Sequence, residues 1–299
     1  MSFSRANDRR DHFRDLSVWP RQQDLNVERW LTNFGPDETE LAKRILMNFI
    51  YFNKTGTDAL MRQAIQNHLS GLWGNHRYPK PPSKTNLPEV RFVYCEWEMP
   101  HATDSGYHFA RRLRDALRVP EAVITSPVEA LLASNHVKHF VFVDDFVGSG
   151  NQFRDTISRK HDVYGNQVSF KDLSADKQFT IAYCPCLSTK YAIEQNIEPE
   201  VPQIHIHPAH ILDFRHTVTD VRSRTWSGLT EPEAQEMIKK LKVASVRAGY
   251  TREDGSEDDW RGFHGLALSV SFEHGIPDAS LPIFYSTRNG WKPLMKRPQ

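Results

Sequence analysis

Two adjacent carboxylates, closely followed by a run of small residues, stand in the middle of this 299-residue chain: Val141-Phe142-Val143-Asp144-Asp145-Phe146-Val147-Gly148-Ser149-Gly150. Carboxylates bind sugar hydroxyls or a cation, and they repel phosphate. Gly148, Ser149 and Gly150 have the opposite preference, because little side-chain bulk shields their backbone N–H groups and glycine accepts a positive φ. Asn151-Gln152-Phe153 then opens an expected helix to about Lys160, whose first amides and dipole suit a phosphate dianion. An acid pair beside an anion cradle points to one ligand carrying both kinds of group, a phosphorylated ribose. The plainer alternative is an Asp-Asp strand end followed by an ordinary turn, since short motifs recur by chance.

The elements that must position these groups read as alternating strands and helices. Val137 to Val143, apolar and β-branched apart from Lys138 and His139, is long enough for an interior strand and puts the acid pair at its end. Upstream, Val90 to Cys95 is a strand, His101 to Gly106 a polar loop, and Tyr107 to Leu117 a helix with Phe109, Ala110, Leu113 and Leu117 on one face. Pro120 to Asn135 holds only a short strand, Ala122 to Thr125, and a helical stretch, Val128 to Ala133. Phe179 to Cys184 is a further strand, Thr189 to Gln195 a helix, and Gln203 to Ile206 a short strand. The fold class expected is α/β, a mostly parallel sheet with helices on both faces and ligands at the carboxyl ends of its strands. Asp144, Asp145 and the Ser105-Gly106 loop all fall at such ends. Taken alone, Ser105-Gly106 is a helix cap.

Around this core the sequence predicts a mobile arm over residues 1–25, a helical block over 26–78 packed on the core, and the α/β domain with a strand-containing extension over 88–299. In the arm, Arg5, Arg9, Arg10, Arg14 and Arg21 are interleaved with Asp8, Asp11 and Asp15, which favours solvation or a weak contact over a grip on nucleic acid. Three helices follow, marked by Val27, Trp30, Leu31 and Phe34; by Leu41, Ile45, Phe49 and Phe52 after Asp37; and by Leu60, Ala64, Ile65, Leu69 and Leu72 after Thr57. Tyr78 to Pro82 is an extended connector. Thr230-Glu231-Pro232-Glu233 is a capping box opening a helix that closes near Gly249, and Leu266 to Phe272 alternates as a strand.

The net charge of +1 gives no general attraction to nucleic acid. Cys95, Cys184 and Cys186 fit packing in a reducing compartment, and no apolar run nears the length of a membrane span, so a cytoplasmic protein is expected. His205, His207, His210 and His216, with Asp213, match no metal-ligand spacing. No metal site is expected there. They read as a polar loop at the edge of the ligand cleft, with His207 or Asp213 facing a base or other acceptor.

The stretch from Val141 to Gln152 resembles the phosphoribosyl pyrophosphate (PRPP) motif of type I phosphoribosyltransferases. That resemblance implies that Asp144 and Asp145 hold the ribose 2′- and 3′-hydroxyls, that Gly148, Ser149, Gly150, Asn151 and Gln152 wrap the 5′-phosphate, and that Ser105 and Gly106 meet the pyrophosphate. It implies Mg²⁺ carried by the ligand itself. Gly148 stands where the family commonly has Thr, and Asn151-Gln152 replaces a small residue and Thr, so hydroxyl contacts are partly lost while amide contacts survive. The family's long mobile flap has no counterpart between the two loops.

The carboxy-terminal segment, His274-Gly-Ile-Pro-Asp278-Ala-Ser-Leu281-Pro-Ile-Phe284 and then Trp291-Lys-Pro-Leu294, resembles the phosphoribosyltransferase-like effectors of bacterial conflict systems (PRTase-CE), some of them beside retron reverse transcriptases. Trp30-Leu31 and Phe34 match their amino-terminal helices, so the resemblance runs from about Val27 to Leu294. Pro, Trp and Leu at these positions serve equally to lock the tail onto the core, with Asp278 and Trp291 the candidates for ligand contact. The family implies an antiphage effector that binds PRPP or a nucleotide and makes or breaks an N-glycosidic bond at the ribose anomeric carbon. The rival expectation is a non-catalytic nucleotide-sensing or scaffold subunit docked on a reverse transcriptase and its RNA–DNA product. Partners expected are thus the small ligand and, in the second reading, that enzyme, with no membrane and with a homo-oligomer left open.

Overall fold

The computed structural model describes residues 4–20, 25–73, 90–96 and 105–297. The connector expected at Tyr78 to Pro82 and the loop residues His101 to Asp104 lie outside the described residues. Contacts divide the chain into two compact units, residues 1–56 with 212–299, and residues 57–211. This division cuts across the expected blocks: the first two amino-terminal helices group with the carboxy-terminal extension, and the third groups with the sheet.

In the first unit, α1 (Ser4–Asp15) is a helix where a mobile arm is expected. Two of its arginines make the weak contacts that the sequence allows: Arg10 and Arg14 converge on Glu28, and Arg14 also donates to the Leu25 carbonyl at 3.2 Å. Such part-exposed ion pairs contribute little. The stronger anchor is aromatic, with Phe13 against Trp19 at 5.4 Å and Trp19 edge-on to Phe49. Asn26 caps α2 (Val27–Leu31) by accepting from the Arg29 amide, and α3 (Thr39–Met47) follows. The expected second helix does not continue to Phe52, because the aromatic and β-branched run Ile50–Phe52 becomes strand β1.

The chain enters the second unit along α4 (Lys54–Trp73), then β2 (Val90–Tyr94), α5 (Ser105–Asp115), β3 (Ile124–Thr125) and α6 (Pro127–Leu132). It continues through β4 (His139–Val147), α7 (Asn151–Ser158), the hairpin β5 (His161–Val163) and β6 (Asn166–Val168), α8 (Phe170–Ser174), β7 (Thr180–Thr189), β8 (His205–Ile206) and β9 (His210–Leu212). The main sheet is parallel in the order β3-β2-β4-β7-β8, with β9 also pairing β7. β4 is buried on both faces from Phe140 to Asp144, which is why its sequence is a continuous apolar run.

Alternation along β4 sorts the two faces. Phe140 and Phe142 meet Phe170 of α8 at 5.3 and 4.9 Å, and Tyr183 of β7 stacks on Phe153 of α7 at 3.7 Å. On the other face, Cys186 of β7 lies against the Thr57 carbonyl of α4, and His68 of α4 meets His139 and His207. Strand order reverses between β2 and β4. Their carboxyl ends are therefore the topological switch point, where open α/β sheets bind ligands.

Returning to the first unit, α9 (Glu231–Arg247) begins with the expected box, the Thr230 amide donating to Glu233 Oε2 at 2.7 Å. The expected strand shortens to β10 (Val270–Phe272), which pairs in parallel with β1. Trp30 and Trp291 both donate to the Ile283 carbonyl, at 2.7 and 2.9 Å, and Asn33 exchanges two hydrogen bonds with the Lys292 backbone. The terminal Trp-Lys-Pro-Leu segment thus locks the tail to α2. No helix among the described residues is long and apolar enough to cross a membrane.

His68 makes the fold sensitive to acid. Its ring is buried, neither ring nitrogen has a hydrogen-bond partner, and burial together with the neighbouring imidazoles pushes its pKa down to about 3. The unfolded chain takes up this proton near pH 6.5 and the folded one resists until about 3, so stability is full above that window and falls as pH drops through it. In urea unfolding below about pH 6.5, His68→Leu should flatten the acid slope by up to about 1.4 kcal/mol per pH unit. An identical slope in the variant would contradict this.

Candidate functional site

β4 does not stop at Val143 as expected; it runs through the acid pair to Val147. Opposite Asp144 stands Pro185 of β7, whose carbonyl accepts from the Ala209 amide at 3.2 Å. Each acidic side chain bonds the next backbone amide: the Asp145 amide donates to Asp144 Oδ1 at 2.9 Å and the Phe146 amide to Asp145 Oδ1 at 2.8 Å. The pair is held rigidly at the carboxyl end of the strand.

The two carboxylates are not equivalent. Asp144 is 4% exposed and accepts from the Tyr183 hydroxyl at 2.9 Å. Burial, and then the adjacent Asp145, raise its pKa well above the ordinary carboxylate value, and the bonds from Tyr183 and the Asp145 amide offset this only in part. Asp145 is half-exposed and is the member of the pair that a ligand can reach. Cys95, at the end of β2, is buried with its thiol pushed up by burial and by the charge of Asp144, which fits the expected packing role.

The small-residue loop is shaped by what its carbonyls bond. Gly148 O accepts from Thr189 Oγ1, and Ser149 O accepts from Asn196 Nδ2 at 2.7 Å. In a planar trans peptide the C=O and the following N–H point in opposite directions. Pinning these two carbonyls therefore turns the Ser149 and Gly150 amides the other way. Asn196 Nδ2 also donates to Asn151 Oδ1 at 2.6 Å, and its own oxygen accepts from Arg154 at 2.6 Å. Gly150 is the N-cap of α7 and brings no capping side chain, leaving the first-turn amides to solvent or a ligand, apart from that of Asn151, which reaches Ser149 Oγ at 3.3 Å. Amides of a loop and a helix start, oriented together, make an anion cradle.

The partner of this loop is a π-helical turn, Ala192–Ile197, where the sequence predicts an ordinary helix. Such turns are uncommon and recur at functional sites. Thr189 starts it by accepting from the Ala192 amide. Tyr183, Thr189 and Asn196 went unrecognised in the sequence. Only Tyr183 carried a signal there, as a polar aromatic residue inside a buried strand.

Thr156 of α7 donates to the Glu96 carbonyl at 3.0 Å and ties the helix to the end of β2. Beyond β2 the chain is described again from Ser105, the first residue of α5, so Ser105 and Gly106 do open a helix. Residues 116–138 hold only β3, α6 and two 3-10 turns. They include no segment long enough for a lid. A cavity of about 230 Å³ lies between Tyr94, β3, α5 and α6, on the β3 side of the switch point. Of the expected cleft residues, His205 and His207 lie on β8 and just after it, whereas His216 and Asp213 belong to the other unit. No group of three or more His, Cys, Asp or Glu among the described residues is arranged to hold a metal ion. Trp291 is buried in packing against Phe34; Asp278 is half-buried, with burial raising its pKa.

Gly150 leaves no room for a side chain in the loop. Its φ is +86°, and a Cβ there would stand 2.9 Å from Ile197 Cγ1. Gly150→Ala should cost about 1–3 kcal/mol in urea unfolding from backbone strain alone. An unchanged midpoint would mean that neither the left-handed conformation nor the packing on the π turn is required.

The family model for PRTase-CE matches residues 27–297, nearly the whole chain. No curated protein and no solved structure matches the chain. With a mostly parallel α/β sheet and a match of this extent, the chain is phosphoribosyltransferase-like and belongs to the PRTase-CE family.

Proposed function

We propose that the chain is an antiphage effector that binds PRPP or a nucleotide at the carboxyl ends of β2 and β4 and makes or breaks an N-glycosidic bond at the ribose anomeric carbon. The observation that carries this reading is the loop after β4, whose carbonyls are tied to Thr189 and Asn196 so that its amides face away from them, beside a half-exposed carboxylate. Phosphate and ribose hydroxyls need that combination of donors and acceptor. The loop's departure from the family pattern weighs less than it does in the sequence, since Thr189 and Asn196, from outside the loop, hold the carbonyls that set the direction of its amides.

In this reading the amides from Ser149 to Gln152 hold the 5′-phosphate and Asp145 accepts from the ribose hydroxyls. Asp144, braced by Tyr183, positions Asp145 from below. As the bond from the anomeric carbon to the leaving group lengthens, the sugar gains positive charge, which the adjacent carboxylate stabilises. The electron pair leaves with pyrophosphate or with the base, and an acceptor nitrogen or water takes its place on the carbon. Ser105 and Gly106 at the start of α5 meet the pyrophosphate, and Mg²⁺ arriving on the ligand neutralises its charge. Water is excluded by something other than a flap within residues 116–138. That last point favours the second reading, a nucleotide sensor docked on a reverse transcriptase with its RNA–DNA product.

Calorimetry with PRPP and common nucleotides, followed by mass analysis of the same mixtures, separates the two. The expected outcome is binding with turnover in the wild type, and loss of turnover with retained fold in Asp145→Asn, along with loss of protection in a phage plaque assay. Full protection by Asp145→Asn would contradict the enzymatic reading, and binding without chemical change over hours would favour the sensor.

A further inference from the structure

A second cavity, of about 200 Å³, is built wholly from the first unit. Arg9 of α1, Arg224, His216 and Ser269 supply its polar lining, with Ile50 of β1 and Val270 of β10 as part of an apolar wall. Its charge is unbalanced. Arg215, which also lines it, is matched by Asp213, the Nε–Oδ2 distance being 2.9 Å, and Asp213 lies 3.1 Å from His216 Nδ1 as well. Arg9 and Arg224 take part in no ion pair among the described residues. Arg9 is half-buried, with its Nε shielded from solvent and without a hydrogen-bond partner, and it rests 4.9 Å over the Phe13 ring.

The Ser269 hydroxyl is a second, independent sign. Ser269 is 6% exposed, and its Oγ has no hydrogen-bond partner. A buried hydroxyl of this kind is destabilising unless something bonds it. His216 also lines the cavity, with its Nδ1 3.1 Å from both the amide and the Oδ1 of Asp213. Two unmatched guanidiniums and an unbonded hydroxyl form a set of donors that suits an acceptor-only dianion. The volume is below that of drug-sized pockets, and the apolar wall leaves room for a small organic group.

From this we infer that the first unit binds a small phosphomonoester between Arg9 and Arg224, at a site built from residues other than the acid pair and its loop. The inference does not rest on the proposed chemistry, because no residue of the loop after β4 takes part. Calorimetry with inorganic phosphate and with glycerol phosphate, glycerol serving as the neutral control, tests it. The wild type should show saturable binding that Arg9→Gln and Arg224→Gln each weaken tenfold or more. Ser149→Ala and Asp145→Asn should leave that binding class in place. Arg224 is exposed and free of ion pairs, so Arg224→Gln should unfold at the wild-type urea midpoint. Ser269→Ala should weaken phosphate without loss of stability, which a purely structural hydroxyl would not do. No saturable binding, or binding that both arginine variants leave intact, would overturn the inference. So would a single-stranded oligonucleotide that binds more tightly through the same arginines and is not displaced by phosphate, since the site would then read nucleic acid.

Discussion

The direction of two carbonyls governs the rest of the candidate site. Gly148 and Ser149 follow a strand that is paired with β7 as far as Val147, so the chain leaves the ladder just where a ligand would need its amides. Thr189 and Asn196 then take the carbonyls, and the amides turn outward as a consequence of peptide planarity. Gly150 completes the geometry, since only a residue without Cβ takes that φ and packs against Ile197. The π turn supplies both Asn196 and Ile197, and so a short irregular element after β7 shapes the loop after β4.

Two adjacent aspartates divide into different roles for the same kind of reason. Asp144 is buried beneath Tyr183 with its ionisation disfavoured, while Asp145 stays half-exposed. Sharing one site, the pair avoids two full charges side by side. A rigid inner carboxyl and a reachable outer one position ribose hydroxyls better than two mobile ones would, because less freedom is lost on binding.

The sheet was legible because its strands are continuous apolar runs and its helices carry periodic faces. The acid pair and the loop were legible because Asp144-Asp145 and Gly148-Ser149-Gly150 follow one another at the end of a continuous apolar strand. What escaped was set by contacts distant in sequence. Ile50–Phe52 becomes a strand only because β10 lies beside it, and α1 is ordered by Phe13 and Trp19 against Phe49, which charge alternation does not reveal. The β5–β6 hairpin turns at Tyr164-Gly165, both at positive φ, where the usual sign would be Asn-Gly. The π turn has no local signature. Asn196 reads in the sequence as one more polar helix residue.

The most direct test of the account is to watch the loop amides. In a ¹H–¹⁵N NMR titration with ribose 5-phosphate, the Ser149, Gly150 and Gln152 amides should move downfield together and become protected from exchange, while Asn196→Ala abolishes the response. Saturable binding that leaves those three amides unmoved would contradict the claim that this loop cradles phosphate.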